Sequence, residues 1–242
     1  MRRYYTRACN FYYGKASKIL LSKKKTLPLN GLQEISFDHI EIITRKSKKK
    51  IFIKDLKKLS KKLQKQIIFD LNKITLKNKN FSNLNFQKLP NIMGVLNLTP
   101  DSFSDGGKFN KTNKGIKHAF EMISAGANLI DVGGESTRPG SKTVNPKNEW
   151  NRIYRILRLV CKKVPVSLDT RKSEIMEKGI KLGVKIINDV SGLNYDKKTL
   201  NILKKYQIPF VIQHSKGTPE NMQIKPTYKN ELLDIYDFFE KK

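Results

Sequence analysis

Five short apolar runs after residue 91 end in polar side chains that could bind a ligand. The residues at or just beyond these ends are Asn97, Asp131, Asp169, Asn188 and His214. Asp and Asn also cap helices, but Asn97, Asp131 and Asp169 lie too close to their runs to cap a following helix. His214 could contact a ligand directly or support a residue that does. Together the five positions favour one polar pocket.

The side chains suit a flat, hydrogen-bonding ring that carries an anion. Asp169 could accept two donors from an aminopyrimidine edge, and Asn188 could both donate and accept. Arg138, together with Thr137, could hold a phosphate or carboxylate by charge-assisted contacts. Asn97 offers one neutral oxygen to Mg²⁺ that is bound chiefly through substrate phosphates. The residues therefore predict binding and electrostatic chemistry rather than a nucleophile.

The elements that must position these residues are parallel strands separated by helices. The apolar runs cover 92–98, 129–132, 165–168, 185–187 and 209–212, and amphipathic segments lie near 113–125, 146–163, 172–182, 196–206 and 228–240. Continuous Val, Ile and Leu runs alternating with helices are typical of a parallel sheet. Polar groups at the carboxyl ends of such strands build the active site of a (β/α)₈ barrel. We predict an α/β fold, a partial TIM (β/α)₈ barrel with about five βα units.

The first 90 residues differ in composition from the rest. They carry 23 Lys and Arg against 5 Asp and Glu, and only 2 of the 14 glycines. We place a boundary at Leu89 and Pro90, so that 1–90 is a basic N-terminal extension and 91–242 an incomplete barrel. The extension is expected to be small α+β or partly disordered, with a strand at 40–43 and a Lys-rich helix around 54–72.

Charge and cysteine content exclude several classes of protein. The formal net charge is +28, yet 40 of the 49 basic residues are Lys, whereas specific nucleic-acid recognition favours Arg. We therefore expect a solvated basic surface and no specific nucleic-acid partner. No apolar run approaches the roughly 18 residues of a membrane span. Two cysteines, Cys9 and Cys161, fit a reducing compartment, and the expected location is cytoplasmic.

Two long motifs resemble the signatures of the dihydropteroate synthase family. The first is IMGVLNLTPDSFSDGG at 92–107, and the second is IDVGGESTRPG at 130–140. The same order continues with VSLDT at 166–170, INDVSG at 187–192 and HSKGTP at 214–219. The resemblance covers residues 91 to about 224. The fold that it implies is the TIM barrel, which the alternation of strands and helices also predicts.

The resemblance implies a transferase of folate biosynthesis. Such an enzyme joins 6-hydroxymethyl-7,8-dihydropterin pyrophosphate to p-aminobenzoate, releasing pyrophosphate and forming 7,8-dihydropteroate. By this resemblance Asp169 and Asn188 hold the pterin ring, and His214 lies near it. Asn97 ligates Mg²⁺, the implied cofactor, beside the pyrophosphate. Asp131 is a polar member of the same pocket and is grouped with the catalytic residues.

The resemblance also assigns two loops to the reacting centre. Thr137 and Arg138 would meet the pyrophosphate as catalytic residues and, with Pro139, help to form the p-aminobenzoate pocket. The loop 101–107, including Phe103, would close over the centre. Catalysis would then be electrostatic, because positive charge neutralises the leaving pyrophosphate.

Two departures from the family pattern modify these expectations. Ser215 stands where the family usually has Met, so the apolar wall of the pterin pocket differs. A barrel needs eight strands and the chain offers five, so we expect a C-terminally truncated member that is inactive alone. The full-length form is expected to be a homodimer.

Two other functions stay open at this point. A pterin-binding domain of a cobalamin-dependent methyltransferase shares the barrel and the Asp and Asn recognition, but it would not need the STRPG motif at 136–140. A basic nucleic-acid-binding protein that uses residues 1–90 is the alternative from a different class. Retention on DNA at physiological salt would favour it.

Overall fold

The chain forms two units of structure. The computed structural model describes residues 4–77, 84, 90–99, 111–136, 138, 140–217, 221 and 226–242. The first unit consists mainly of the described part of Met1–Phe81 and of Asn230–Lys241, and the second mainly of the described part of Pro90–Lys229. No helix within these described ranges is long and apolar enough to cross a membrane. Both cysteines are free thiols.

Strands and helices alternate along most of the chain. In chain order they are β1 (Tyr5–Tyr13), α1 (Gly14–Ser22), β2 (Leu27–Pro28), β3 (Ile35–Ile43), β4 (Lys48–Phe52), α2 (Lys61–Thr75), β5 (Met93–Asn97), α3 (Lys111–Ser124), β6 (Leu129–Gly133), α4 (Pro146–Val160), β7 (Val166–Asp169), α5 (Ser173–Lys181), β8 (Ile186–Asp189), α6 (Thr199–Tyr206), β9 (Phe210–Ile212) and α7 (Glu231–Lys241). Short 3₁₀ helices occur at Leu29–Gly31 and Ile53–Lys58.

The first unit is an antiparallel sheet built around β3. Strand β1 pairs with β3 along its length, and β2 and β4 pair with different parts of the other edge. Phe37, Ile40 and Ile42 of the sheet form a buried cluster with Ile67 and Leu71 of α2. The predicted strand is thus longer than expected. The predicted Lys-rich helix is a 3₁₀ turn followed by α2, whose apolar residues recur at helical spacing.

The last helix, α7, belongs to the first unit. Leu233 is buried together with Tyr5 and Ile43, and the Tyr5 hydroxyl donates to Asp237 Oδ1 at 2.5 Å. The division by composition groups 91–242 as one barrel portion, whereas the structure places Asn230–Lys241 in the other unit. The difference arises because an amphipathic helix can bury its apolar face on any complementary surface, which its sequence alone does not identify.

The second unit is a parallel sheet with the strand order β5-β6-β7-β8-β9. Each strand is joined to the next by a helix or a helix-containing segment, as the alternating pattern predicts. Among the described residues the sheet is open, with β5 and β9 at its edges. The prediction of a partial α/β barrel with five strands is confirmed, and the five strand positions agree within one or two residues.

One row of this sheet forms the centre of the core. Leu96, Val132, Leu168 and Ile187 are consecutive partners across β5 to β8, and none is more than 1 % exposed. They pack in a single cluster with apolar residues of α3, α4, α5 and α6. Because successive residues of a strand point to opposite faces, the residue after each of these four faces away from the helices.

Candidate functional site

The next row of the sheet carries the predicted polar residues. Asn97, Gly133, Asp169 and Asn188 are consecutive partners across β5, β6, β7 and β8. All four lie at the carboxyl end of their strands, on the face opposite the helix-packed core. The register therefore brings three predicted site residues into one line, and we call these four residues the polar row.

Gly133 separates two of these side chains. A Cβ at this position would lie 3.3 Å from both Asn97 Oδ1 and Asp169 Oδ2. This separation is tighter than nearly all ordinary Cβ contacts, so the absence of a side chain at Gly133 lets Asn97 and Asp169 approach from the two sides. Both oxygens therefore border the same small space above the strand backbone.

Asp131 lies one pleat deeper on the same face. It is 6 % exposed, and Asn188 Nδ2 donates to its Oδ2 at 3.3 Å. Burial raises the pKa of Asp131, and the hydrogen bond from Asn188 opposes that shift. Asp131 thus fixes the orientation of the Asn188 amide and leaves the Asn188 oxygen available to accept a hydrogen bond from a ligand.

Asp169 has the most unusual environment of the row. Burial raises its pKa to about 8, with further increases from the negative charges of Asp131, Glu149, Glu135 and Asp189. A carboxyl group surrounded by other acids resists ionisation because its charge would be poorly solvated and repelled. Near neutral pH Asp169 is therefore largely protonated, and it can exchange its proton when a ligand presents hydrogen-bond donors.

A buried ionic cluster lies near Asp169, on the loops that follow β6 and β7 and on the first turn of α4. Its members are Glu135, Glu149, Arg171 and Lys172, each at most 5 % exposed. Lys172 Nζ contacts Glu135 Oε2 at 2.9 Å and Glu149 Oε2 at 2.5 Å, while Arg171 Nε donates to Glu135 Oε2 at 3.0 Å. Burial raises the pKa of Glu135, but hydrogen bonds from Arg171, the Val144 amide and Lys172 outweigh it and hold that pKa below its ordinary value.

Sequence reasoning did not identify this cluster. Glu135 lies within the motif at 130–140, and Arg171 and Lys172 directly follow the motif at 166–170. Opposite charges just after two neighbouring strands could therefore have indicated an ionic contact. Such charges are usually solvated, however, and only the folded chain reveals that these four are buried together.

Arg138 lies three residues after Glu135, on the loop that follows β6. Its side chain is exposed, its backbone amide donates to Ser136 Oγ at 3.3 Å, and its carbonyl accepts from the Ser141 amide at 3.1 Å. The local turn thus presents the guanidinium to solvent at the same end of the sheet as the polar row. Thr137, Pro139 and Phe103, predicted as site residues, lie outside the described residues.

His214 lies two residues beyond β9. Its Nε2 is 3.2 Å from the Tyr228 hydroxyl, and the two rings meet edge to face with their centroids 5.9 Å apart. Lys216 Nζ stands 3.8 Å from the centre of the Tyr228 ring. The imidazole is thus oriented by a neighbouring aromatic side chain, which suits a supporting role as well as direct contact with a ligand.

Asn97 is the residue of the row that the sequence predicts as a metal ligand. Among the described residues no group of three or more His, Cys, Asp or Glu side chains could hold a metal ion. Asn97 is exposed and presents a single neutral amide oxygen. This fits Mg²⁺, which keeps several waters and takes further ligands from substrate phosphates.

The match to a family model covers most of the second unit and also α7. A model described as "Pterin binding enzyme" matches residues 93–242. The chain is 44 % identical to a dihydropteroate synthase of Clostridium beijerinckii over 146 residues, which are 60 % of this chain and 52 % of that protein. It is 40 % identical to the Escherichia coli dihydropteroate synthase over 152 residues, 62 % of this chain and 54 % of that protein. The chain thus spans about half the length of these curated relatives.

Solved structures are similar to about two thirds of the chain. A Clostridium difficile dihydropteroate synthase crystallised in the presence of pteroic acid aligns with a TM-score of 0.58 and 37 % identity, covering 68 % of this chain and 59 % of that one. A Yersinia pestis dihydropteroate synthase in complex with a sulfonamide drug aligns with a TM-score of 0.58 and 40 % identity, covering 63 % and 56 %.

Proposed function

Because the chain belongs to the pterin-binding enzyme family, we propose that its second unit provides the pterin and pyrophosphate side of a dihydropteroate synthase site. The overall reaction would join 6-hydroxymethyl-7,8-dihydropterin pyrophosphate to p-aminobenzoate. The C–O bond to pyrophosphate breaks, the C–N bond to the arylamine forms, and the amine loses a proton. The observation that carries this proposal is the polar row.

Ring recognition is assigned to Asp169 and Asn188. The two side chains are neighbours in the row, and Asp131 holds the Asn188 amide from below. A pterin presents an amino group and a ring N–H side by side, and these donors match the two oxygens of a carboxylate. The row therefore provides a rigid hydrogen-bonding edge on strands rather than on mobile loops.

The leaving group is assigned to Arg138 and Asn97. The exposed guanidinium of Arg138 can form two parallel hydrogen bonds to a phosphate, and it would stabilise the negative charge that develops as the C–O bond breaks. Asn97 would hold Mg²⁺ through its amide oxygen. When bound, the ion would supply Lewis-acid stabilisation of the leaving pyrophosphate. Thr137, Pro139, Phe103 and His214 are proposed to complete the pocket.

Turnover is proposed to need more protein than the open sheet offers. The apolar side chains of Met93 and Val95 on β5 are 41 % and 56 % exposed, and those of Phe210 and Val211 on β9 are 42 % and 46 % exposed. In a closed barrel such edges are paired. We therefore propose that further polypeptide covers them in the active enzyme. A cytoplasmic, homodimeric holoenzyme is part of the same proposal.

The Asp169→Asn substitution tests ring recognition directly. An amide has one acceptor oxygen and an NH₂ donor where the carboxylate has its second oxygen, so one of the two ligand donors would face a donor. Loss of this hydrogen bond to a charged group should weaken binding by about 1.5–3 kcal/mol, roughly ten- to hundredfold in Kd. Calorimetry with 6-hydroxymethyl-7,8-dihydropterin pyrophosphate measures this change. Asp55→Asn, an acid of the first unit, is the matched control. Equal affinity in the Asp169 and Asp55 variants would refute the assignment.

A further inference from the structure

The loop that carries Arg138 is tied together at its base. It leaves the sheet after Gly133, passes through Glu135, and enters α4 after Val144 and Asn145. The Glu135 carboxylate accepts a hydrogen bond from the Val144 amide at 2.7 Å, so the two ends of the loop are joined directly. Arg171 adds a second tie, because its Nη2 donates to Thr143 Oγ1 at 3.0 Å while its Nε donates to Glu135.

The guanidinium of Arg171 is itself fixed from a third side. It lies 4.1 Å from the centre of the Tyr195 ring, on the loop that follows β8. A planar guanidinium can stack on a ring while its N–H groups point sideways to oxygens, which an ammonium cannot do. Arg171 therefore joins the loops after β6, β7 and β8 in one fixed geometry, and it directly follows Asp169 and Thr170 in sequence.

Stability alone does not account for such an arrangement. Each buried ion loses several kcal/mol of hydration, and apolar residues of similar volume often stabilise a protein at least as well. Buried charges define geometry, however, because only one arrangement satisfies all of their hydrogen bonds. The loop base is thus held in a unique position relative to the strand end that carries Asp169.

We propose that Glu135, Arg171 and Thr143 form a clamp that positions Arg138 relative to the polar row. Arg171 and Glu135 act as positioning residues, since they reach the ligand only through the loop. The role of Arg138 rests on the proposed function. The clamp is a property of the loop alone, so its effect on exchange of the Val144 amide can be measured without catalysis. Through Arg138 the clamp should affect the affinity for pyrophosphate and leave the affinity for the pterin ring unchanged.

Hydrogen exchange of the Val144 amide provides the structural test. In Arg171→Met we expect at least tenfold faster exchange at Val144, with a smaller effect in Arg171→Lys, which keeps the charge but loses the planar fork. Thr143→Val keeps the size of the side chain and removes its hydrogen bond from Arg171 Nη2, with about threefold faster exchange of the Val144 amide expected. The amides of Ala125 and Gly126, which donate to Glu121 and Ile123 at the end of α3, should not change.

Ligand binding provides the functional test. For Arg171→Met we expect about tenfold weaker binding of inorganic pyrophosphate and unchanged binding of 6-hydroxymethylpterin, which carries no phosphate. Arg158→Met is the matched control, because Arg158 also stacks on a tyrosine, Tyr154 at 5.7 Å, but lies on α4 away from the loop base. It should leave both affinities unchanged.

The outcomes separate the clamp from the function on which it rests. Unchanged Val144 exchange in folded Arg171→Met and Thr143→Val variants would overturn the clamp. Faster exchange with unaltered pyrophosphate binding would overturn its control of Arg138. If the wild type bound neither pyrophosphate nor pterin, the proposed function would fail, and the exchange result alone would decide whether the clamp exists.

Discussion

At the level of single residues, Asp169 has properties that no strand-end aspartate has by default. Its own burial, followed by the charges of four neighbouring acids, raises its pKa to about 8, while Gly133 leaves the space that its oxygen borders. Ring N–H donors would favour the ionised form and lower that pKa again. In the proposed function, ligand binding and proton release would therefore be coupled at this side chain.

The raised pKa of Asp169 makes stability depend on pH in a definite direction. The unfolded state releases the Asp169 proton near pH 4, whereas the folded state keeps it up to about pH 8. Between these values the folded state binds more protons, so the free energy of unfolding falls as the pH rises. Below pH 4 both states are protonated and the effect vanishes.

Asp169→Asn should remove this decline. We expect the difference in unfolding free energy, wild type minus variant, to become steadily more negative from pH 5 to pH 8. Urea titrations followed by Trp150 fluorescence measure it, because Trp150 is the single tryptophan and packs against the core of the second unit. If the free energy of unfolding changed with pH by the same amount in both proteins, the raised pKa of Asp169 would be contradicted.

At the level of elements, close packing between β7 and α5 depends on Gly179. A Cβ at this helical position would lie 2.4 Å from Leu168 Cδ2, and Leu168 is fully buried in the core. The helix therefore approaches the strand more closely than any other residue at this position would allow. Because Leu168 directly precedes Asp169, a shift of this strand would be transmitted to the polar row.

Gly179→Ala is expected to destabilise the second unit despite the better helix propensity of alanine. Overpacking of a filled core costs about 1–3 kcal/mol, which exceeds the gain of up to about 1 kcal/mol from replacing glycine in a helix. Chemical denaturation measures the net change. Lys181→Ala, on the exposed side of the same helix, is the control, and Leu168→Val should partly rescue the variant. A stabilised Gly179→Ala protein would show that the helix can move away.

Sequence reasoning located the second unit's elements well and its interactions less well. Continuous runs such as 129–132 and the amphipathic spacing of α4 depend on local pattern, so they were predictable. Asp131, Asp169 and Asn188 were identified because polar residues at parallel strand ends share one edge. The contact of Asn188 with Asp131, the burial of Glu149 and the docking of α7 depend on pairing between distant segments, which no local pattern encodes.

At the level of the whole molecule, the parallel sheet ends in two open edges. The exposed apolar residues of β5 and β9 described above accompany backbone groups that have no strand partner among the described residues. Unpaired edges of this kind favour association with other strands. The large net charge of +28 opposes such contacts, and more strongly at low salt.

The chain should therefore self-associate in a salt-dependent manner. We expect light scattering to show an increase in average mass as salt is raised from about 0.05 to 0.5 M, because screening removes the repulsion between chains. Val95→Lys places a charge on the exposed edge strand and should reduce association. Asn151→Lys, on the exposed face of α4, adds the same charge away from the edge strand and is the control. Identical association of wild type and Val95→Lys would exclude the β5 edge as the contact.

The polar row has a consequence for how the chain reaches its fold. A slip of one residue in β7 would exchange Asp169 with Leu168, and a slip in β8 would exchange Asn188 with Ile187. Either slip would direct a carboxyl or amide into the helix-packed core and an aliphatic side chain into the pocket. Misaligned strands would thus lose ligand recognition and core burial together. The residues proposed to recognise the ligand would therefore also disfavour misaligned strands during folding.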